Sequence, residues 1–251
     1  MKICLFIPCY YAERTIQKVL DKIPKHFFKK VHEILVIDDA SNDKTYENAI
    51  KYKIKNNISK IKVIKNKKNL GYGGNQKKAY NYCIKNGFDI VIMLHGDDQY
   101  PAQMVDKLSE LIEKKHASMV LGSRIKGNPL KNGMPLWRYI FNRLLTFIEN
   151  IAFGLNLSEY HSGFRAYDCH ILKEIDFNKN SDSYVFDQQI VSQIILKKKL
   201  IKEITIPTYY GPESHKISFL ESFKYGLGIL NVVFNHILEY NKRKSSLVYK
   251  S

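Results

Sequence analysis

Short apolar runs alternate with helix-spaced apolar residues along the first half of the chain. Residues 2–8, KICLFIP, form an apolar run closed by Pro8 and read as a strand. Ile16, Val19, Leu20 and Ile23 then recur at helical spacing. The run HEILVIDDAS is a buried strand ending in acids, the pattern of a parallel sheet covered on both faces. Ser41 or Asn42 is placed to cap the next helix, which carries Thr45, Ala49 and Ile50. KIKVIKN reads as a third strand, GNQKKAYNYCIKNG as a helix opened by glycines and stopped by Gly87, and DIVIMLHGDD as a fourth strand. An amphipathic helix follows Pro101, and ASMVLGSR is a fifth strand. This alternation predicts an α/β fold with a mostly parallel sheet flanked by helices. Ligands sit at the carboxyl ends of the strands in such sheets, and Asp38, Asp39, Asp97, Asp98 and Arg124 fall there.

The pattern changes near Leu136. LWRYIFNRLLTFIENIAFGL is one long amphipathic helix or a pair, HSGFRAYD a loop, YVFDQQIVSQIILKKK a helix and IKEITIPTYYG a strand. A last amphipathic helix carries Phe219, Phe223, Leu227, Leu230 and Phe234 on one side and runs into basic residues 242–244. Core packing is the ordinary use of such a stripe; an aromatic-rich helix near 136–155 and a basic chain also fit a membrane surface.

The composition narrows the class. Over 251 residues, 45% are hydrophobic and 25% charged, which excludes disorder as the dominant state. Lys and Arg number 40 against 24 Asp and Glu, giving +16. That excess suits a polyanionic neighbour, and a Lys/Asn/Ile-rich composition alone also produces it, so charge does not choose. The four cysteines show neither a CxxC pair nor zinc spacing, which favours a reducing, cytoplasmic setting. The first apolar run is too short for a signal peptide, and no run reaches the ~18–20 residues of a spanning helix.

Read singly, the polar clusters stay ambiguous. Asp38 and Asp39 fit a turn as well as a ribose, and the glycines before Asn75 and Lys77 fit a plain turn as well as an anion site. Their order along the chain is more specific. IPCYYAERTI, VIDDASNDKT, NLGYGGNQKKAY, MLHGDDQYP, VLGSRIKG and YHSGFRAYD together resemble glycosyltransferase family 2, the nucleotide-sugar transferases of GT-A type. Within it they resemble the polyprenyl-phosphate branch, the dolichyl- or undecaprenyl-phosphate glycosyltransferases.

The resemblance covers roughly residues 2–215 and implies a GT-A domain over 1–215, with 216–251 as a C-terminal amphipathic helix and basic tail facing a membrane. It implies a nucleotide pocket at Pro8, Tyr10, Glu13 and Asp39, bordered by Asn75; Tyr11 stands where the family usually has Asn. It places Asp97 at the second acid of the DxD motif, with Gln99 after it and His95 in place of the first acid. Asp97, Gln99 and His95 would then hold Mg²⁺ or Mn²⁺ against the donor diphosphate. Arg124 and Arg138 match the arginines for an acceptor phosphate, a task suited to a guanidinium fork. Ser162, Gly163 and Arg165 form the anion-binding loop, and His215 ends the domain near the diphosphate.

Asp187 has three readings: a general base for a hydroxyl acceptor, a positioning residue, or a charge favoured at a helix start. The implied reaction is inverting transfer of a sugar from a nucleotide-sugar donor to a lipid-phosphate acceptor, at the cytoplasmic face of an anionic membrane. Three alternatives stay open. One is transfer to a saccharide hydroxyl with Asp187 as base. Another is a non-catalytic basic protein that binds nucleic acid or membranes. The third is a transferase inactivated at His95 and Tyr11. Acids at the strand ends would repel a nucleic acid in that cleft, so nucleic acid is not an expected partner. No QxxRW follows, which disfavours the processive polysaccharide synthases.

Overall fold

The structure is a computed structural model that describes residues 1–207, 210 and 219–248. Seven strands form one sheet: β1 (Ile3–Cys9), β2 (Glu33–Asp38), β3 (Ile61–Lys65), β4 (Ile90–Met93), β5 (Met119–Ser123), β6 (Arg165–Asp168) and β7 (Ile201–Thr205). Their order is β3-β2-β1-β4-β6-β5-β7, and only β6 runs antiparallel to its neighbours. Side chains along β1 alternate between two cores, as strand geometry requires. Ile3, Leu5 and Ile7 enter one; Cys4 and Phe6 enter the other. The first core is closed by α1 (Ile16–Asp21), α2 (Lys25–Lys30), α3 (Thr45–Lys55) and α5 (Val105–Glu113). The second is closed by α4 (Gly71–Lys85), α6 (Leu136–Phe153), α7 (Cys169–Glu174), α8 (Phe186–Leu196) and α9 (Phe219–Val248).

Three local expectations are corrected. Pro8 does not close β1 but lies inside it, paired with Ile37 of β2. Its missing N–H faces the side where β4 has already ended, because that pairing stops at Phe6 and Met93. The third helix begins at Thr45, not after Ser41 or Asn42. Ser41 turns back to donate to Asp38 Oδ1, and Asp43 accepts from the Thr45 amide at 3.0 Å. The segment read as a loop at HSGFRAYD ends in β6, which fills the gap between β4 and β5.

The carboxyl ends of β1, β2, β4 and β5 meet at one edge of the sheet, and antiparallel β6 starts there. Residues 9–10, 38–39, 94–97, 123–124 and 163–165 therefore converge from five strands. The starts of α4 and α8 approach the same edge.

Helix α6 is apolar on two sides. Its buried face carries Leu145 and Phe153 together with Asn142, Thr146 and Glu149, while Leu136, Ile140, Leu144, Phe147 and Ile151 are exposed at i, i+4, i+8, i+11 and i+15. Helix α9 packs beside it and exposes Leu220, Phe223, Leu227, Leu230, Phe234 and Ile237 in a matching stripe. Among the described residues no helix is long and apolar enough to cross a membrane.

Candidate active site

A cavity of about 620 Å³ opens at the converging strand ends. Pro8, Tyr10, Asp39 and Asn75 line one end; His95, Asp97, Gln99 and Gly163 the middle; Arg124 and Arg138 the far end, with Trp137 and Phe141 of α6. Asp187 also reaches the wall.

The end lined by Pro8 and Tyr10 is built by a buried polar chain. Asp39 Oδ1 accepts from Asn66 Nδ2 at 2.6 Å and from the Leu70 amide at 2.9 Å, which fixes the carboxylate at the cavity wall. Asn75 donates to the Ile37 carbonyl at 3.3 Å. Asp38 points away into the protein, where burial raises its carboxyl above the ordinary range. The glycines at the start of α4 serve packing. The Gly73 amide donates to the Asp182 carbonyl at 2.7 Å, and a Cβ there would run into Ser181 O. Lys77 is committed to Asp182 and Asn180.

In the middle, Asp97 Oδ1 accepts from the Gln99 amide at 3.1 Å. Asp98 takes φ 60° and turns out to Lys22 at 2.6 Å. His95 is pressed between Tyr72 and Tyr100, with ring centroids 5.7 and 5.1 Å away. Burial lowers its imidazole, so it is neutral near pH 7, although Asp97 pulls the other way. The Tyr72 hydroxyl donates to Asp187 Oδ2 at 2.9 Å and lies 3.4 Å from His95 Nε2. Its single proton is thus spent on Asp187, and its oxygen is left to accept Nε2–H from His95. The other imidazole nitrogen, Nδ1, then keeps its lone pair. Gly163 makes this packing possible, because a Cβ there would run into the His95 ring.

Asp97 and Gln99 offer hard oxygens of the kind a divalent cation takes. Among the described residues no group of three or more His, Cys, Asp and Glu side chains is placed to hold a metal. Asp97 and Gln99 are thus two oxygen donors of the right kind, fewer than a full cation shell.

At the far end Arg124 is buried against Glu159, which accepts from its Nη2, from its Nε at 2.7 Å and from its backbone amide at 2.8 Å. Burial opposes both charges, yet the pairing prevails. It holds the guanidinium above its usual value and the carboxyl below the carboxylate range. Nη2 also reaches the His161 carbonyl at 3.0 Å and Nη1 the Tyr210 hydroxyl at 3.2 Å. Arg138 is half-buried, and burial lowers its guanidinium.

Three of the expected residues sit elsewhere. Arg165 is fully buried and does not reach the cavity: Nε, Nη1 and Nη2 donate to the carbonyls of Ser162, Asp187 and Tyr160, and Nη2 pairs with Asp187 at 3.3 Å. It holds the loop and Asp187 in place rather than a phosphate. Ser162 is buried, its hydroxyl accepting from the Phe164 amide at 3.3 Å. Glu13 lies outside the large cavity and accepts from the Lys44 amide at 3.1 Å. His215 lies outside the described residues.

Asp187 has both oxygens engaged, by Tyr72 and by Gln76 Nε2 at 3.0 Å. Sequence reasoning missed Tyr72, Tyr100, Tyr184, Glu159 and Tyr225. Tyr72 stands inside a quoted motif, but nothing in a linear pattern shows that its hydroxyl bridges two other motifs.

The model of the family "Glycosyl transferase family 2" matches residues 4–176. The chain belongs to glycosyltransferase family 2. It is 30% identical over 224 residues to UDP-N-acetylglucosamine–dolichyl-phosphate N-acetylglucosaminyltransferase of Methanococcus voltae, a match spanning 83% of this chain and 86% of that one. It is 25% identical over 219 residues to dolichol-phosphate mannosyltransferase of Pyrococcus furiosus, spanning 84% and 57%. Among solved structures it resembles glucosyl-3-phosphoglycerate synthase of Mycobacterium tuberculosis, in complex with Mn²⁺, UDP and phosphoglyceric acid. The TM-score is 0.70 at 15% identity, over 94% of this chain and 78% of that one. This family 2 transferase therefore has the GT-A fold foreseen from its motifs. It is a glycosyltransferase, and that neighbour of the same fold holds Mn²⁺ in its crystal structure.

Proposed function

We propose that this family 2 enzyme transfers a sugar, with inversion, from a nucleotide diphosphate sugar to a polyprenyl phosphate at the cytoplasmic face of an anionic membrane. The observation that carries the acceptor assignment is the outward apolar stripe of helix α6. One helix supplies Arg138 and Trp137 to the cavity and an exposed apolar stripe to the outside. An acceptor with an anionic head and an apolar tail matches both faces. The named activities of the Methanococcus and Pyrococcus relatives support the same acceptor class.

In this reading the donor's nucleoside lies along Pro8, Tyr10, Asp39 and Asn75. Asp97 and Gln99 would hold Mg²⁺ or Mn²⁺ there, an ion that offsets charge developing on the leaving diphosphate. An acceptor phosphate oxygen attacks the anomeric carbon. The bond from that carbon to the diphosphate oxygen breaks, and its electron pair leaves with the nucleoside diphosphate. The acceptor is already ionised, so no base is needed. Asp187, with both oxygens engaged, serves as a positioning residue that orients Tyr72. Arg138 and Arg124 attract and orient the acceptor phosphate.

The outer stripes of α6 and α9 lie in the headgroup region, drawn there by apolar burial and by the chain's +16 charge. Four free, buried cysteines support the reducing side of the membrane. Steady-state kinetics of Arg138→Ala test the assignment. KM for polyprenyl phosphate should rise about tenfold, the loss of one charge-assisted contact, while donor KM stays unchanged. A rise in donor KM alone would move Arg138 to the donor site and remove the acceptor assignment.

A further inference from the structure

Behind the cavity, α6 carries a carboxyl that the reaction above does not use. Glu149 is fully buried, and neither of its oxygens has a hydrogen-bond partner among the described residues. Its Oε2 lies 3.2 Å from Nε2 of His161, close in distance but outside hydrogen-bond angles. The other imidazole nitrogen, Nδ1, is 3.2 Å from Gln188 Nε2 of α8 and 3.3 Å from the Tyr225 hydroxyl of α9. The backbone carbonyl of His161 accepts from Arg124. One residue thus joins α6, α8 and α9 to the cation at the end of the cavity.

The proton count follows from these partners. Gln188 offers an N–H to Nδ1, so the single proton of a neutral imidazole sits on Nε2 and faces Glu149. An ionised Glu149 would have that one N–H for its whole buried charge. A neutral acid packed 3.2 Å from that N–H leaves no net charge in the pair. The groups facing Glu149 are His161, Tyr160, Arg165 of β6 and Tyr225 of α9. Burial raises the Glu149 carboxyl well above its ordinary range against the pull of Arg165, and lowers the His161 imidazole to about 3.

We propose that Glu149 is a positioning residue that, as a neutral acid, anchors His161 and through the His161 carbonyl holds Arg124 in place. That Arg124 meets an acceptor phosphate rests on the function proposed above; the anchoring does not.

Glu149→Gln and Glu149→Leu test it, because the amide copies a neutral acid and leucine copies only its bulk. Thermal unfolding from pH 5 to 9 reads the proton. A group whose native value is raised gives stability that is full below its unfolded value, near 4.3, and lost as pH rises through the native one. The wild-type Tm should therefore fall relative to Glu149→Gln as pH rises; a difference that does not change with pH overturns the neutral acid.

Hydrogen exchange of the amides of residues 159–161 reads the anchoring. It should rise at least about tenfold in Glu149→Leu and stay within about twofold in Glu149→Gln. Unchanged exchange in the Leu variant overturns the anchor. Should that variant fail to fold, the Gln variant decides: exchange raised as much as tenfold there overturns the anchor, and wild-type-like exchange supports it.

Trp137, the single tryptophan, lines the cavity and reports binding of farnesyl phosphate by fluorescence. Kd should rise about tenfold in Glu149→Leu and hold in Glu149→Gln; equal affinity in all three proteins overturns the link to Arg124. If farnesyl phosphate fails to bind the wild type, the acceptor assignment fails, and unfolding and exchange still judge Glu149.

Discussion

Tyr11 occupies a left-handed backbone conformation, φ 52°, that a tyrosine adopts at a cost and an asparagine adopts readily. The departure from the family's usual Asn is thus a local strain, and the ring, 54% exposed, recovers little of it by packing. Tyr11→Asn should stabilise the protein by about 1 kcal/mol, a rise of about 2–4 °C in a thermal melt for a chain of this size. The opposite case is Glu159. It is the buried counter-ion of Arg124, so Glu159→Gln leaves a charge without its partner. Urea unfolding should show a loss of about 3–5 kcal/mol. The arginine was legible because it sits in a motif at a strand end. The glutamate was not, since 35 residues separate it from its partner and no spacing rule spans that distance. Arg165 shows the reverse failure. Its motif suggested a phosphate contact, but its donors are spent on carbonyls that shape the loop.

The central strands and most helices follow from apolar periodicity, because β1, β2, β4 and β5 are buried on both faces and read as continuous runs. β6 escaped because it is four residues long and begins with an arginine. Only the gap between β4 and β5 makes it a strand. The start of α6 was legible, but the pattern fits one helix or a pair, and the direction of its outer apolar stripe was not legible. Periodicity gives apolar residues on two sides, and only the packing shows that Leu145 and Phe153 face in with Asn142, Thr146 and Glu149 while the Leu136–Ile151 stripe faces outward. Ile140 and Phe147 are 58% and 62% exposed, so Ile140→Glu with Phe147→Glu should change stability by less than about 1 kcal/mol. The same pair should weaken sedimentation with phosphatidylglycerol vesicles by at least about tenfold, since each apolar side chain contributes about 1.5–3 kcal/mol when buried. Unchanged vesicle binding would take α6 out of the membrane contact.

At the scale of the whole molecule, one sheet edge gathers Asp39, Asp97, Arg124 and Arg138 into a single cavity. Two helices then give that cavity an apolar threshold. The fold and the family were readable from the order of the motifs, each weak alone. The acceptor class was implied by the same motifs and is the one named for the relatives; what no linear pattern carries is the placement of Arg138 beside an outward apolar face. The most direct measurement of the central claim is mass spectrometry of the lipid fraction. The purified protein would be incubated with undecaprenyl phosphate, Mn²⁺ and a panel of UDP- and GDP-sugars, with undecaprenol and free oligosaccharides as parallel acceptors. A polyprenyl-phosphate sugar formed from one donor, absent with undecaprenol and in Asp97→Asn, is the expected result. Sugar appearing on an oligosaccharide hydroxyl, with none on the lipid phosphate, would contradict it.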